Sequence, residues 1–162
     1  MKKYIHYCWF GGNSLPKLAK KCIESWKKYL PDYEIIEWNE KNFDINLCPF
    51  VKEAYDNKKW AFVSDYARLY ALYKYGGLYL DTDVEILRDI EFLKNDEMFM
   101  GREDENFFAT AVIGVKEENN KYIRKILDYY DSLSGFDPNI DVFNYANPRI
   151  LTRIITEYDK VI

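Results

Sequence analysis

Apolar residues run along this chain in blocks whose period changes from one stretch to the next. Tyr4 to Phe10 is an apolar, β-branched and aromatic run closed by Gly11-Gly12, the pattern of a buried strand. Beyond it Leu15, Leu18, Ala19, Cys22, Ile23, Trp26 and Leu30 recur at helical spacing, with lysines opposite. Ser14 stands where an N-cap is expected, Pro16 falls in the first turn, and Pro31-Asp32 closes this helix. Tyr33 to Trp38 predicts a second strand. A short helix follows over 50–59, then one over 60–75 that is apolar on most sides and therefore buried. Gly76-Gly77 supplies a left-handed helix end, and Leu78-Tyr79-Leu80 is a strand running straight into Asp81-Thr82-Asp83. Strands over 98–101 and 107–115 and amphipathic helices over 120–133 and 148–158 complete the order. Strand, helix, strand within the first 38 residues is the opening of an α/β nucleotide-binding unit, and no repeat or linker interrupts the rest. Residues 1–162 read as a single α/β domain.

Composition narrows the function classes. A chain of 162 residues buries about 70% of its unfolded surface, enough for a core without disulfides. With 48% hydrophobic and 31% charged residues it is neither a disordered tail nor a coiled coil. The three cysteines, Cys8, Cys22 and Cys48, have no C-x-x-C spacing, which argues against a disulfide framework or a zinc site. His6 is the only histidine, so a His-based triad or multi-histidine metal site is excluded, and its mid-strand position predicts a core residue. Aromatic residues reach 18%, a content that suits gripping sugars or bases and equally suits a Tyr-rich core. The net charge of −4 does not favour nucleic acid. Residues 1–30, however, carry seven lysines against Glu24 alone. The basic helix over 15–30 therefore reads as a solvated face or, at most, a peripheral contact with anionic membrane. Without a cleavage site or a run of transmembrane length, the expectation is a soluble, reduced, cytoplasmic protein.

The candidate chemistry lies between residues 60 and 85. Asp81-x-Asp83 stands at the C-terminal end of a strand, where α/β sheets place their ligand crevice. Two carboxylates there suit a divalent cation that would neutralise a diphosphate. The bare pair is expected about once by chance in a chain this rich in Asp, and its place after a buried strand is what raises it above that level. Asp65 and Arg68 share one face of the preceding helix. An ordinary surface ion pair is one reading. Their apolar setting (Phe62, Val63, Leu69, Leu72) instead suggests a buried pair facing a polar ligand, with Arg68 offering a planar donor fork. Trp9, at a strand end, and Tyr79, among apolar neighbours, are each either ligand contacts or packing.

Ala61-Phe62-Val63-Ser64-Asp65-Tyr66-Ala67-Arg68, followed by Tyr75-Gly76-Gly77-Leu78-Tyr79-Leu80-Asp81-Thr82-Asp83, resembles the signature of glycosyltransferases with the DXD sugar-binding motif. That family includes the yeast initiating mannosyltransferase and bacterial capsular polysaccharide transferases, and the glucosylating domains of large clostridial toxins carry a related pattern. Ile5-His6-Tyr7-Cys8-Trp9-Phe10-Gly11-Gly12 is also similar to the bacterial members, so the likeness spans about residues 4–88. The resemblance implies a GT-A-type nucleotide-sugar-binding domain, with a mixed, mostly parallel sheet flanked by helices. It implies a nucleotide-sugar donor, a divalent metal (Mn2+ or Mg2+) and retention of anomeric configuration. Trp9 would stack on the donor's base, and Asp65 and Arg68 would hold sugar hydroxyls, with Arg68 also near phosphate. Tyr79 would lie close to the diphosphate, Asp81 would contact ribose or metal-bound water, and Asp83 would coordinate the metal. The catalytic set is thus Asp65, Arg68, Asp81 and Asp83, with Asp81 and Asp83 as metal ligands.

The resulting expectation is transfer of a hexose from a nucleotide sugar, UDP-sugar being favoured, to a glycan or lipid-linked glycan hydroxyl during surface or capsular polysaccharide synthesis. Related bacterial transferases continue past a helix like 148–158 into a segment with a His- and Trp-containing motif, whereas this sequence stops at Ile162. Either the gene is short or this is a version truncated at its C-terminus, and one alternative is a truncated, non-catalytic nucleotide-sugar-binding module. The other is an aspartyl phosphatase of the haloacid dehalogenase type with Asp81 as nucleophile, in which Glu85 stands where Thr or Val is needed. The sugar, the acceptor and the linkage are expected to depend on loops without a transferable pattern, including 102–110 and 134–147.

Overall fold

In the computed structural model, which describes residues 1–93 and 95–159, the strands form at Tyr4–Cys8 (β1), Glu34–Trp38 (β2), Gly77–Leu80 (β3), Met98–Arg102 (β4) and Phe108–Val115 (β5). The helices are Lys17–Tyr29 (α1), Pro49–Asp56 (α2), Trp60–Tyr75 (α3), Lys121–Ser132 (α4) and Asn147–Asp159 (α5). The sheet order is β2-β1-β3-β5-β4. β1 pairs in parallel with β2 and β3, while β5 runs antiparallel to both β3 and β4. Four strands therefore point one way and β5 alone opposes them, the mixed, mostly parallel sheet expected.

Side-chain alternation along each strand decides what faces what. Ile5, Tyr7, Leu78 and Leu80 point to one face, where they pack with Cys22, Ile23 and Trp26 of α1. Cys8, Tyr79, Ile113 and Val115 point to the other, under α2 to α5 and against Val63, Ala67 and Leu72 of α3. The same alternation carried one step past β3 aims Asp81 at α3. Most aromatic residues belong to this second layer: Phe50, Phe136 and Tyr145, for example, pack ring on ring at 5.1–5.8 Å.

Three details differ from the sequence pattern. β1 ends at Cys8 rather than Phe10, with Trp9 N–H donating to Trp38 O at 2.9 Å before the chain turns at Gly11 and Gly12. Ser14 does not cap α1; Pro16 occupies the N-cap position with no side-chain bond. α2 stops at Asp56, short of Lys59. His6 is a satisfied core residue as expected, fully buried between two partners. Trp38 Nε1–H donates to His6 Nδ1 at 3.1 Å, so Nε2 carries the proton and donates to Gly76 O at 2.9 Å. Burial pushes its pKa down to about 4 and keeps the ring neutral.

Gly76 and Gly77 turn the end of α3 directly into β3, with φ of 64° and 92°. A Cβ at Gly77 would lie 2.7 Å from Tyr4 O, a backbone atom of the neighbouring strand that cannot move without disturbing the ladder. Gly77→Ala is therefore expected to cost roughly 1–3 kcal/mol from the backbone conformation alone, seen as a lowered urea midpoint. An unchanged midpoint would show that the turn relaxes.

Candidate active site

The C-terminal ends of β1 and β3 and one face of α3 enclose a cavity of about 420 Å3. Helical spacing brings Ala61, Ser64 and Arg68 onto its wall, and strand ends bring Cys8, Trp9, Tyr79 and the Asp81-Thr82-Asp83 turn. A second cavity of about 500 Å3 lies over the ends of β1 and β2, lined by Glu37, Asn39, Glu40, Lys41 and Tyr55 among others. Trp9, Asn13 and Trp60 border both, so the two form one cleft with tryptophans at its waist.

At the floor, Arg68 is buried and its guanidinium has five N–H groups. Nη2 lies 3.0 Å from Asp65 Oδ1 and 3.3 Å from Asp81 Oδ1. Nη1 donates to Thr110 O at 2.9 Å and Thr110 Oγ1 at 3.3 Å, and Nε donates to Ser64 O at 3.3 Å. The Tyr79 ring lies 4.6 Å below the guanidinium carbon, and its hydroxyl donates to Asp81 Oδ1 at 2.8 Å. Every donor of Arg68 thus already has a protein acceptor. In this arrangement it holds two carboxylates apart and in place, rather than presenting a free fork to phosphate.

Asp65 is nearly as deep, its side chain 13% exposed. Asn147 N–H, at the start of α5, donates to Asp65 Oδ2 at 3.4 Å, and Asn147 Nδ2 donates to the backbone O of Asp65 at 2.9 Å. Burial raises the Asp65 pKa to about 6, with Arg68 and Asn147 opposing that rise. Cys8, on the same wall, is pushed up to about 12 by burial and is no nucleophile.

Because the ordinary value for Asp65 is 3.8, the folded state binds the extra proton between pH 4 and 6. Its contribution to stability is thus fully present below the unfolded pKa, declines as pH rises through that window, and is flat above it. Any activity that needs the carboxylate as an acceptor runs the other way and falls below about pH 6. Asp65→Asn is expected to remove this acid limb. A limb near pH 4 in the unaltered protein would contradict the assignment.

Asp83 is exposed and makes no hydrogen bond or ion pair among the described residues, and both polar contacts of the Asp81 side chain go to Oδ1 rather than Oδ2. Two hard carboxylate oxygens at a cavity mouth fit a divalent cation that takes its remaining ligands from water and phosphate. No cluster of three or more His, Cys, Asp or Glu among the described residues could hold the ion without them.

The structure brings Trp9, Arg68, Tyr79, Asp81 and Asp83 together on the wall of one cavity, while Asp65 does not line it and joins the group through its ion pair with Arg68. Sequence reading missed Trp60, Thr110 and Asn147. Trp60 had a signal: Gly11, with φ of 93°, lies so close that a Cβ there would stand 2.8 Å from the indole. Thr110 and Asn147 carry no local pattern, since each reaches the site from a distant segment.

A family model for the "glycosyltransferase sugar-binding region containing DXD motif" matches residues 16–102. The chain is 30% identical over 120 residues to inositol phosphoceramide mannosyltransferase 3 of Schizosaccharomyces pombe, covering 69% of this chain and 32% of that protein. It is 24% identical over 99 residues to lactosylceramide 4-alpha-galactosyltransferase of Pongo pygmaeus, covering 61% of this chain and 42% of that one. The chain thus spans about a third to two fifths of the length of these relatives. Among solved structures, the PaToxG glycosyltransferase superposes with a TM-score of 0.74 at 19% identity, over 97% of this chain and 68% of that one, a likeness of fold.

Proposed function

The chain belongs to the glycosyltransferase family whose sugar-binding region contains the DXD motif, with a GT-A-type fold, and on that premise we propose that it transfers a hexose from a nucleotide sugar, favouring a UDP-sugar, to a hydroxyl of a glycan or glycolipid with retention of configuration. The observation that carries this reading is the buried Asp65–Arg68–Asp81–Tyr79 network at the floor of a cleft with tryptophans at its waist.

The base would lie in the cavity over β1 and β2, against the Trp9 ring, where Glu37, Asn39 and Lys41 offer polar groups to its edge. The sugar and diphosphate would occupy the cavity over β3. There the Asp65 carboxylate accepts from sugar hydroxyls. Arg68 fixes Asp65 and Asp81, and Tyr79 holds Asp81 Oδ1 so that the other oxygen stays available. Asp81 and Asp83 would hold the divalent metal, Mn2+ or Mg2+, which when bound supplies charge neutralisation to the departing diphosphate. The bond from the anomeric carbon to the diphosphate oxygen breaks, the bond to the acceptor oxygen forms on the same face, and the acceptor's proton passes to the leaving diphosphate. No protein base is required, consistent with His6 being buried away from the cleft.

Both curated relatives named above are hexosyltransferases of ceramide glycolipids by name, which supports a glycan carried on lipid as acceptor; surface or capsular polysaccharide synthesis is the proposed setting. On α1, Lys21 and Lys27 are paired with Glu85 and Glu24 and Lys28 lies over the Tyr29 ring, leaving Lys17, Lys20 and Lys28 exposed, without an ion pair among the described residues, for a peripheral contact with an anionic membrane face. Binding to phosphatidylglycerol vesicles at low salt, released at high salt, is the expected result. Salt-independent binding would speak against an electrostatic contact.

The deciding assay is hydrolysis of a panel of UDP- and GDP-hexoses with Mn2+ or Mg2+. Metal-dependent hexose release from one nucleotide class is expected. Binding without release would mark a nucleotide-sugar-binding module, and no binding would overturn the reading.

A further inference from the structure

Arg149 lies in the first turn of α5, where the helix dipole disfavours a cation. Its guanidinium carbon sits 5.2 Å from the Phe107 ring and 5.4 Å from the Phe143 ring. Both rings are set by local turns. Asp104 Oδ1 accepts from Asn106 N at 2.6 Å and Phe107 N at 2.9 Å at the β4–β5 hairpin tip, and Asp141 Oδ1 accepts from Phe143 N at 3.0 Å ahead of α5. The contrast with Arg68 is the informative point. Arg68 has all its donors spent on protein acceptors, whereas Arg149 is steadied by two aromatic rings and has no acceptor for its guanidinium among the described residues. A cation held by ring contacts alone keeps its N–H groups for an outside acceptor, and the acceptor that matches a guanidinium fork is a phosphate.

The position ties this cation to the reaction centre. Arg149 is two residues beyond Asn147, whose backbone N–H reaches Asp65. Phe107 is three residues before Thr110, which Arg68 contacts, so both elements lead outward from the same floor. Phe107 also lines a cavity of about 300 Å3 between the hairpin tip and α5, together with Arg102, Asn106 and Thr152. This cavity is separate from the two assigned to the donor. The tip carries Glu103, Asp104 and Glu105, whose charges would repel a polyphosphate and leave a singly linked phosphate as the better match. We propose that Arg149, Phe107 and Phe143 form an acceptor subsite that recognises a phosphate attached to the acceptor glycan, the sugar lying in the adjoining cavity. The assignment of this phosphate to an acceptor rests on the glycosyltransferase reading; the anion site itself does not.

Arg149→Gln keeps the stem and removes the charge, and Arg149→Lys keeps the charge and removes the fork. Calorimetry with glucose 6-phosphate, against glucose as the neutral control, is expected to show phosphate-dependent binding weakened about 10- to 100-fold in Arg149→Gln and partly restored in Arg149→Lys. Donor hydrolysis in water and the thermal midpoint are expected to stay unchanged. Phosphatidylinositol vesicles tested beside the soluble probe separate the sources: dependence on Arg149 with vesicles alone assigns a lipid headgroup, and dependence with both assigns the phosphate itself. Equal binding of glucose and glucose 6-phosphate together with vesicle binding indifferent to both substitutions would overturn the subsite. Should donor hydrolysis fail in the unaltered protein while the Arg149-dependent binding persists, the glycosyltransferase reading falls and the anion site stands.

Discussion

Arg68→Ala is expected to lose stability and turnover together. The substitution removes the guanidinium that faces Asp65 and Asp81, leaving one carboxylate nearly buried with Asn147 as its partner among the described residues. Breaking a buried pair from one side costs about 3–5 kcal/mol, because the remaining charge must be desolvated alone or take up a proton. Thr110 O and Ser64 O would also lose their donor. Urea unfolding should show the loss directly. The loss should be smaller at pH 5 than at pH 8, because Asp65 can be protonated at the lower pH. Arg68→Lys keeps the charge but cannot reach both carboxylates and both oxygens of Thr110, so a partial recovery of stability with little recovery of turnover is expected. Unaltered stability in Arg68→Ala would mean that the network contributes nothing to the fold.

Asp83→Ala is expected to separate the two properties. Asp83 is exposed and makes no hydrogen bond or ion pair among the described residues, so the urea midpoint should stay within about 0.5 kcal/mol of the unaltered protein. Metal-dependent donor hydrolysis should fall by a factor on the order of 10² to 10³, the usual cost of removing one group that stabilises charge in the transition state. Manganese titration of the remaining activity should shift to higher concentration. Full turnover in Asp83→Ala would remove the central claim about the DXD turn.

Much of this site could be read from local pattern, because the chain itself places it locally. Asp65 and Arg68 are one helical turn apart, and Tyr79 and Asp81 fall on the same side of one strand, so periodicity alone aligns each pair. The order of the strands, the α3-to-β3 turn at Gly76-Gly77 and the core position of His6 follow from the same short-range rules. What periodicity could not reach is the third dimension of the network. Thr110 meets Arg68 across 42 residues and Asn147 meets Asp65 across 82. Both are small polar residues whose types fit a turn, a cap or a core equally well. The first helix boundary was misplaced for a different reason: Ser14 satisfies the rule for a cap, but Pro16 begins the helix two residues later and leaves Ser14 outside it. The role of Arg68 changed for a third reason, since a sequence names a donor fork but does not reveal that every prong is already taken.

Asn147 also has a consequence for synthesis. The strands, α3 and the DXD turn have left the ribosome well before residue 147 is made, so a nascent chain of that length holds Asp65 beside Arg68 with nothing on its far side. The last contact of the site arrives with α5. At translation speeds of about 5–20 residues per second, Asn147 is made roughly 2–7 seconds after Thr110, an interval in which the floor is present but unfinished. Donor binding should therefore be acquired abruptly and late, as a step when α5 docks rather than in proportion to chain length.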